Sequence, residues 1–411
     1  MFYVHWEQHP VGHGGFHTGR LNDTASAPFT WAFDCGARAS AVFDTYLRNW
    51  TLQHQLPLDW LFVSHFDNDH VSGLNTLMTR TVVRDVMIPY LNERELALLL
   101  LDAISQDRLS RSIVDLTADP AAFFLSRGAE RVTFLGGDGR SRGPETPSIG
   151  PDGADGDRPW RCKISPPPRQ LAAPPWAARA SSVPAVRIID SGVCDVSIIY
   201  QTYGLRLKPY RAPVQTQMRR SLIKAMKTLV GTAVVPLAGR PGLGGLAYAV
   251  ANHARTATGR ASLRLLFKTF AGSSNRASLS LLSEPIIFDD QNAGWWVRSS
   301  GRWRDGNGKG VPAWINTGDA ELLATADLMD WQAAYAPELA NVRVLALPHH
   351  GSDKNSGTHF QALCPDALLV AHVKSTAKKH PGPAVTIAAG SRLARVTEQA
   401  VSAVTMTFHS P

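Results

Sequence analysis

Short runs of apolar and β-branched residues alternate with polar or turn-forming segments along most of this chain. Runs of this length are typical of buried strands. A longer stretch, Asn92–Gln106, has the character of a helix. Since strands and helices alternate over residues 1–135, the pattern favours an α/β sandwich or layered sheet over a helical bundle. We predict strands at Thr30–Phe33, Trp60–Val63, Thr81–Ile88, Val196–Tyr200, Ser278–Leu282, Ala313–Ile315, Val342–Leu347 and Ala367–Val370.

Two segments interrupt this alternation. Residues 136–184 are dominated by Gly, Pro, Ser and Asp, with consecutive prolines at Pro166–Pro168, so we predict a loop or linker with extended character. Residues 205–270 are basic, and apolar residues recur there at helical spacing from Met218 to Leu229. We therefore expect one domain over residues 1–411 that carries a proline-rich insertion or linker and a basic, partly helical insertion.

Charge is distributed unevenly along the sequence. The net charge is +8, from 42 Lys and Arg against 34 Asp and Glu, yet no acidic residue occurs between Val196 and Ser283. Within that segment Arg219, Arg220 and Lys224 fall largely opposite the apolar face of the predicted helix. Such a face is either a solvated surface that covers the core or a surface for a polyanion such as nucleic acid. A membrane-surface helix is less favoured, because aromatic anchors are absent from its sequence.

Composition excludes several classes of protein. With 411 residues, 44% of them hydrophobic, the chain can bury a sizeable core, which argues against wholesale disorder. The four cysteines form no CxxC pair, which excludes a cysteine-type zinc ribbon and argues against a disulfide scaffold. The opening residues MFYVHWEQHP do not resemble a signal peptide, and no run of about 20 residues is apolar enough to cross a bilayer. We expect a cytoplasmic protein with no membrane segment.

The densest group of reactive side chains occurs in LFVSHFDNDHVSGL, where an apolar run precedes His65, Asp67, Asp69 and His70. A buried strand that ends in a tight loop would bring these groups to one edge of a sheet. Imidazole nitrogens and carboxylate oxygens together suit a divalent transition-metal ion, and a carboxylate can also orient a ligand histidine. Two carboxylates at the rim of a core are unfavourable unless a cation neutralises them. A polar surface turn is the alternative interpretation.

Two distant segments have the same context. AWINTGDAE places Asp319 after an apolar run, with Gly318 allowing a close turn. LALPHHGSDKNS places His349 and His350 after another such run. Either motif alone is weak evidence, but three strand ends that each offer His or Asp indicate one metal site at a sheet edge.

These motifs resemble those of a known family. SHFDNDHVSGL, INTGDAE and LPHHGSDKNS look like the metal-binding motifs of the metallo-β-lactamase superfamily, and most closely those of the hydrolase domain attached to bacterial competence proteins of the ComEC type. In that branch, as here, an aspartate (Asp67) stands where most of the superfamily has a second histidine. Weaker similarity occurs in VGHGGFHTG, FDCG, SSNRASLSLL and KKHPGP, so the resemblance covers about residues 1–135 and 273–390.

The resemblance implies a metallo-β-lactamase-like αββα sandwich with one or two divalent ions, zinc or manganese, at the edge of the paired sheets. Asp69 and His70 would hold one ion with a histidine of the HHGS motif. Asp319 would bridge two ions, and His65 and Asp67 would serve the other. The implied metal ligands are His65, Asp67, Asp69, His70, Asp319 and His349.

The sequence departs from the family pattern at two places. Ser72 stands where the family usually has glycine. No histidine follows the strand that ends near Ile88, where the wider superfamily supplies another ligand, and only Asn92 and Glu93 are offered there. The oxygen-rich set of donors fits manganese as well as zinc.

The resemblance also implies hydrolysis by a metal-bound hydroxide, because a divalent ion lowers the pKa of its water toward about 7. Asp67 or Asp69 could orient the attacking water, and His350 or His380 could donate a proton to the leaving group. Nearby lysines suit a phosphate-bearing substrate, although a short polar loop explains some of these residues equally well. The candidate substrate contacts are Ser352, Lys374 and Lys378 near the site and Arg219, Arg220 and Lys224 in the basic segment.

We therefore predict a metal-dependent hydrolase, a phosphodiesterase or nuclease acting on nucleic acid or a nucleotide. The basic segment is the sequence feature that favours a polynucleotide over a small ester. Two alternatives stay open. One is a hydrolase of the same fold that cleaves a thioester, a lactone or a cyclic nucleotide, and the other is a non-catalytic, metal-stabilised partner module. A protein partner in the same system is a further expectation, and the oligomeric state is open.

Overall fold

The strands of this chain form two sheets, one of eleven strands and one of eight, within the residues that the structure describes. The structure is a computed structural model, and it describes residues 2–23, 26–91, 96, 99–101, 104, 110–136, 160–170, 186–200, 203–212, 220–231, 246–269, 278–287, 293–300, 302–306 and 310–410. Helices occur between the strands along the chain. The prediction of a mixed α/β protein is thereby confirmed, with two sheets in the described part of the chain.

The larger sheet combines an antiparallel part with a run of parallel strands. In spatial order its strands are β14 (Arg302–Gly306), β13 (Gly294–Ser299), β19 (Val404–Ser410), β1 (Phe2–Gln8), β2 (Gly14–Asp23), β3 (Ser26–Ala37), β4 (Leu58–Phe62), β5 (Val83–Pro89), β6 (Arg131–Leu135), β9 (Val186–Ile189) and β8 (Arg169–Gln170). Strand β1 pairs with β2 and β19, where Val4 lies opposite Leu21 and Phe408. From β3 through β6 to β9 the strands are parallel.

The smaller sheet is likewise half parallel and half antiparallel. In spatial order its strands are β18 (Leu393–Val396), β17 (Leu368–His372), β16 (Val342–Ala346), β15 (Ala313–Asn316), β12 (Leu279–Ile287), β11 (Tyr203–Arg211), β10 (Asp195–Tyr200) and β7 (Arg161–Ser165). Strands β15 to β18 are parallel, and the other pairings are antiparallel. Because parallel strands end on the same side, the loops after β15, β16 and β17 lie at one edge.

Both unusual segments of the sequence contribute strands. Composition predicts a loop or linker for residues 136–184, whereas β7 within that segment pairs with β10 and buries Ile164 opposite Val196. Residues 137–159 and 171–185 lie outside the described part of the chain. The basic segment 205–270 begins inside β11, which pairs with β12 along its whole length.

Helices connect the parallel strands and occupy most of the described basic segment. They are α1 (Ser40–Gln53), α2 (Asn68–Val71), α3 (Leu74–Arg80), α4 (Arg111–Ala118), α5 (Pro120–Leu125), α6 (Arg220–Val230), α7 (Leu246–Ala254), α8 (Ala257–Thr269), α9 (Thr325–Tyr335), α10 (Thr358–Ala362) and α11 (Pro383–Ala389). Short 3-10 turns lie at Leu339–Asn341, Pro348–Gly351, Gly390–Arg392 and Ala400–Ser402. In α6, Met226 is buried and Lys224 is exposed, as its amphipathic pattern predicts.

In the predicted helix Asn92–Gln106, the described positions 96, 99–101 and 104 are helical, and the others lie outside the described residues. No helix within the described ranges has the length and apolar character needed to cross a membrane.

In the part of the chain that the structure describes, buried apolar side chains form three clusters. The first joins helices to the larger sheet, for example Leu47 of α1 and Val86 of β5. The second draws side chains from both sheets, including Trp31 and Trp314. The third joins helices to the smaller sheet and contains Trp331 of α9. Every strand that leads into the candidate site is anchored in these clusters, so the strand ends are fixed relative to one another.

Candidate metal centre

The three motifs that the sequence singles out meet at one point. The first follows β4 in the larger sheet, and the other two follow β15 and β16 in the smaller sheet. Asp319 is central, because its Oδ2 lies 3.6 Å from His65 Nε2 and its Oδ1 lies 3.2 Å from His70 Nε2. His350 Nε2 lies 3.5 Å from Asp69 Oδ2 and 3.9 Å from Asp319 Oδ1. All five residues are buried.

Close backbone contacts bring these loops together. Gly318 adopts φ +53°, and a Cβ atom at this position would overlap Ser278 Oγ and lie 2.7 Å from Ser64 Cβ. The turn that we predict at Gly318 is therefore confirmed, and only glycine fits it without strain. The Leu279 N–H donates to the Ser64 carbonyl at 2.8 Å, which ties the start of β12 to the loop after β4. The two sheets are thus joined directly beside Asp319.

Backbone strain is concentrated at this centre. Among the described residues, four non-glycine positions have positive φ, and three of them are Asp34 (+58°), His349 (+47°) and His350 (+58°). The left-handed conformation is unfavourable by about 1–2 kcal/mol for a residue with a Cβ atom. Such strain persists where the surrounding structure imposes it, and it is typical of functional sites.

Within the described residues, two compact groups of side chains have the composition and spacing of metal ligands. In each group one atom from every residue lies within 4.8 Å of the others. One group is His65, His70 and Asp319, and the other is His13, Asp69 and His350. His13 is a residue that our sequence analysis did not assign to the metal. Its Nε2 lies 3.5 Å from Asp69 Oδ2, and its ring centroid lies 3.9 Å from that of His350.

The donor atoms fit a divalent cation. His65 Nε2, His70 Nε2, His350 Nε2 and Asp319 Oδ1 are buried and have no hydrogen-bond partner within the described part of the chain. Ligand atoms about 2.1 Å from a tetrahedral ion lie about 3.4 Å apart, which matches the separations between these imidazole and carboxylate atoms. Buried carboxylates are unfavourable unless hydrogen bonds or a positive charge compensate them, and a bound cation would supply that charge. Mixed nitrogen and oxygen donors suit zinc or manganese.

A second layer of polar groups orients the histidines. Asp34 Oδ2 accepts a hydrogen bond from His70 Nδ1 at 2.7 Å, and the same carboxylate accepts from the Ser64 N–H and hydroxyl. His65 Nδ1 lies 2.8 Å from Ser64 Oγ and 3.4 Å from Ser278 Oγ. Such partners fix the ring orientation of metal-binding histidines. The sequence signal for Asp34 is its position after an apolar run in FDCG, a segment whose resemblance to the family does not by itself indicate this role.

The electrostatics follow from packing carboxylates and imidazoles together in the interior. Burial lowers the pKa of His70, but Asp319 and Asp34 outweigh burial and raise that pKa well above its usual value. Burial acts to raise the pKa of Asp319, but the surrounding histidines, led by His70, hold it well below its usual range. Asp319 is therefore ionised. Burial lowers the pKa of His13 to about 2, so its imidazole is neutral and keeps a lone pair for a metal.

A cavity of about 450 Å³ opens onto the candidate ligands Asp69 and Asp319. Its other lining residues include four cationic side chains and the predicted residue His380. Burial lowers the pKa of His380 to about 4, so its ring is neutral near pH 7 and is suited to hydrogen bonding. The four cations are Arg38, Lys374, Lys378 and Lys379.

Some predicted site residues lie outside the two compact groups. Asp67 Oδ2 is 3.9 Å from His65 Nε2 at the rim of the site. His349 Nδ1 is 3.7 Å from Asp319 Oδ2, but its side chain is 32% exposed, and it is His350 that completes a ligand group. The hydroxyl of Ser352 accepts from the Lys354 N–H within its own turn, and Ser352 does not line the cavity.

The predicted contacts in the basic segment are not brought to this centre by the described structure. Lys224 lies instead beside an apolar groove between α6 and α8. Arg219 lies outside the described residues, and of Arg220 only the backbone is described.

No family model matches this chain, and no curated protein matches it. Among solved structures, the crystal structure of the metallo-β-lactamase MIM-1 from Novosphingobium pentaromativorans is similar at 12% sequence identity, with a TM-score of 0.26, over 94% of this chain and 87% of that chain. A TM-score this low carries no argument about fold or function.

Proposed function

We propose that this chain is a metal-dependent hydrolase of the metallo-β-lactamase type and that it cleaves a phosphate ester. The proposal rests on one observation: the two compact groups of His and Asp side chains border a cavity that is lined by cations. An αββα arrangement is supported by the core, in which one cluster joins the two sheets and the other two join helices to one sheet each. The closer likeness to ComEC-type hydrolase domains rests on the sequence motifs alone.

The two compact groups define how the protein would hold its ions. Asp319 has one oxygen near His65 and the other near His70 and His350, so its carboxylate is placed to serve both groups. Divalent ions held there supply Lewis acidity and lower the pKa of coordinated water. One ion would be held by His65, His70 and Asp319, and the other by His13, Asp69 and His350.

The cavity supports an anionic substrate. Arg38 offers a planar guanidinium that can donate two parallel hydrogen bonds to a phosphate. Lys374 and Lys378 add point charges around the same opening, with Lys379 beside them. A neutral thioester or lactone offers these cations no charged partner, so the lining favours a phosphodiester over those alternatives.

The direct test is the Asp319→Asn variant, which keeps the shape of the side chain and removes its charge. We expect a loss of hydrolysis of bis(p-nitrophenyl) phosphate by roughly 100-fold or more, together with weaker binding of Mn²⁺ or Zn²⁺ in calorimetric titration. Asp366→Asn is the matched control, because Asp366 is exposed on the surface. Wild-type hydrolysis by Asp319→Asn would contradict the proposal.

A small phosphodiester is the second candidate substrate, beside a polynucleotide. The cavity volume of about 450 Å³ suits a single nucleotide, and Lys224 in the basic helix does not line it. Cleavage of labelled single- and double-stranded DNA and of a cyclic nucleotide, measured from about 50 to 200 mM salt, separates the two. Polynucleotide cleavage would fall steeply with salt, because neutralised phosphates release counterions, and cleavage of a nucleotide would fall far less.

Lys378→Ala tests the cationic lining itself. We expect KM for the phosphodiester to rise roughly tenfold with little change in kcat, because a charge-assisted contact made in both ground and transition states is lost. Lys227→Ala removes the same charge from an exposed position on α6 and serves as the control. An unchanged KM in Lys378→Ala would exclude this lysine from substrate binding.

A further inference from the structure

His350 differs from the other candidate ligand histidines in how its second ring nitrogen is paired. A metal-binding histidine normally donates its other N–H to a carboxylate, a carbonyl or a water. His70 has Asp34 as this partner, and His65 has Ser64. Within the described residues, His350 Nδ1 is buried and has no hydrogen-bond partner. Since a buried unpaired nitrogen is unfavourable, its partner has to lie in the space beside the ring.

That space is a narrow cavity with room for about 10 Å³, lined by His350 together with His17 and His372. Both ring nitrogens of His17 and the Nε2 of His372 are buried and likewise lack partners in the described part of the chain. Gln8 Oε1 and Asn316 Nδ2 are also buried without a hydrogen-bond partner among the described residues, and both residues line the same cavity. A cavity of about 10–15 Å³ holds one water, and a buried water makes about three hydrogen bonds.

We propose that one buried water in this cavity bonds to His350 Nδ1 and is held by His17 and His372, which makes these two histidines positioning residues for a metal ligand. The inference rests on the proposed function, in which His350 binds an ion. The water would be the hydrogen-bond partner of His350 Nδ1, as the Asp34 carboxylate is the partner of His70 Nδ1.

The surroundings of the two histidines support this role. The His17 ring lies 4.7 Å from the Trp314 ring between centroids, so it is held in place by packing. Burial lowers the pKa of His17 well below its usual value, so the neutral ring offers one donor and one acceptor to a water. His372 ends β17, and its ring centroid lies 6.4 Å from that of His350, a separation that leaves room for a water between them.

A crystal structure at a resolution that resolves waters gives the first test. We expect one density peak within about 3.2 Å of His350 Nδ1, of a His17 nitrogen and of His372 Nε2. A dry cavity, or a direct hydrogen bond between His350 and His372, would contradict the proposal. This readout does not depend on whether the protein is catalytically active.

Metal titration of variants gives the second test. His17→Phe and His372→Phe should each weaken the binding of one Mn²⁺ by roughly 10–100-fold and leave the other ion in place. The double variant should bind no more weakly than either single variant, because both side chains act through one water. His372→Gln keeps a hydrogen-bonding group and should recover most of the affinity. His5→Phe is the control, since His5 is a half-buried histidine that bonds to Thr407 and does not line the cavity.

The outcomes separate this inference from the proposed function. If the wild-type protein binds two ions and both phenylalanine variants bind them equally tightly, the positioning role is wrong and the metal site stands. If the wild-type protein binds no divalent ion but the water peak is present, the metal site is wrong and the hydrogen-bonded network stands. The visible absorption of bound Co²⁺ adds a readout of ligand geometry, and it should change in His372→Phe and not in His5→Phe.

Discussion

At the scale of single residues, the candidate metal centre depends on buried groups behind the ligands as much as on the ligands themselves. Asp34 is 1% exposed and accepts hydrogen bonds from His70 and from both polar groups of Ser64. Its backbone is in the left-handed region at φ +58°, which aims the carboxylate at this cluster. Asp34 therefore fixes the ring of a ligand without itself belonging to either compact ligand group.

Asp34→Asn tests this second layer. The amide keeps the size of the side chain but replaces one acceptor oxygen with a donor, so the hydrogen bonds from His70 and Ser64 cannot all be kept. We expect metal affinity and kcat to fall by roughly 10–100-fold, as measured by calorimetric titration and phosphodiester hydrolysis. Wild-type affinity in this variant would mean that His70 is oriented by other contacts.

Site residues can be predicted from the sequence only where several potential metal ligands lie close together in it. Asp69 and His70 stood out because they follow an apolar run in a dense motif. His13 did not, because it is flanked by glycines and its partners Asp69 and His350 lie far away in the chain. The motif resemblance names His349 as a metal ligand and His350 as a proton donor, whereas the structure places His350 in a compact ligand group. Consecutive left-handed residues bury His350 and leave His349 partly exposed.

At the scale of elements, the site is built from loops that follow buried strands. The strands β4, β15 and β16 are fixed by the core, and tight turns direct the next residues toward a common point. Gly318 is the clearest case, since its turn packs directly against Ser278 and Ser64. The position of Asp319 therefore depends on the tight turn at Gly318.

Gly318→Ala should both destabilise the protein and disrupt metal binding. Alanine is strained at a positive φ, and its Cβ atom would collide with the side chains of Ser278 and Ser64. We therefore expect the free energy of unfolding to fall by about 1–3 kcal/mol. Gly128→Ala is the matched control, because Gly128 also has positive φ (+92°) but nothing lies within 4 Å of the added atom. Thermal unfolding and metal titration should show a smaller stability loss and normal metal binding for Gly128→Ala. Equal effects of both variants would mean that close packing at Gly318 is unimportant.

Elements were predictable where strands are buried on both faces. The runs at β4, β15, β16 and β17 are mostly apolar, and each prediction agrees with its observed strand to within two residues at either end. The residue pattern alone did not predict β1, whose buried positions alternate with half-buried polar residues such as His5 and Glu7. Its partner β2 follows directly in the sequence, but its other partner β19 lies at the far end of the described chain, and no local pattern specifies that pairing.

At the scale of the whole molecule, the candidate centre lies where the two sheets meet. His70 and Asp69 follow a strand of the larger sheet, whereas Asp319 and His350 follow strands of the smaller sheet. Ions held by both sets would cross-link the sheets at their edge, beside the second core cluster. Metal binding should therefore be linked to global stability.

Thermal unfolding with and without metal measures this linkage. An ion that binds only the folded state adds about 2.7 kcal/mol when its free concentration is 100 times its Kd. We expect Mn²⁺ or Zn²⁺ to raise the Tm of the wild-type protein by several degrees, and a chelator to reverse the rise. Asp319→Asn should show little or no rise. An equal rise in both proteins would place the stabilising ion elsewhere.

Anomalous diffraction from crystals loaded with Mn²⁺ or Zn²⁺ tests the central claim most directly. The predicted result is strong anomalous density at the centre of the His65, His70 and Asp319 group, with a second peak at the His13, Asp69 and His350 group. Anomalous density at other positions, with none between these side chains, would contradict the account.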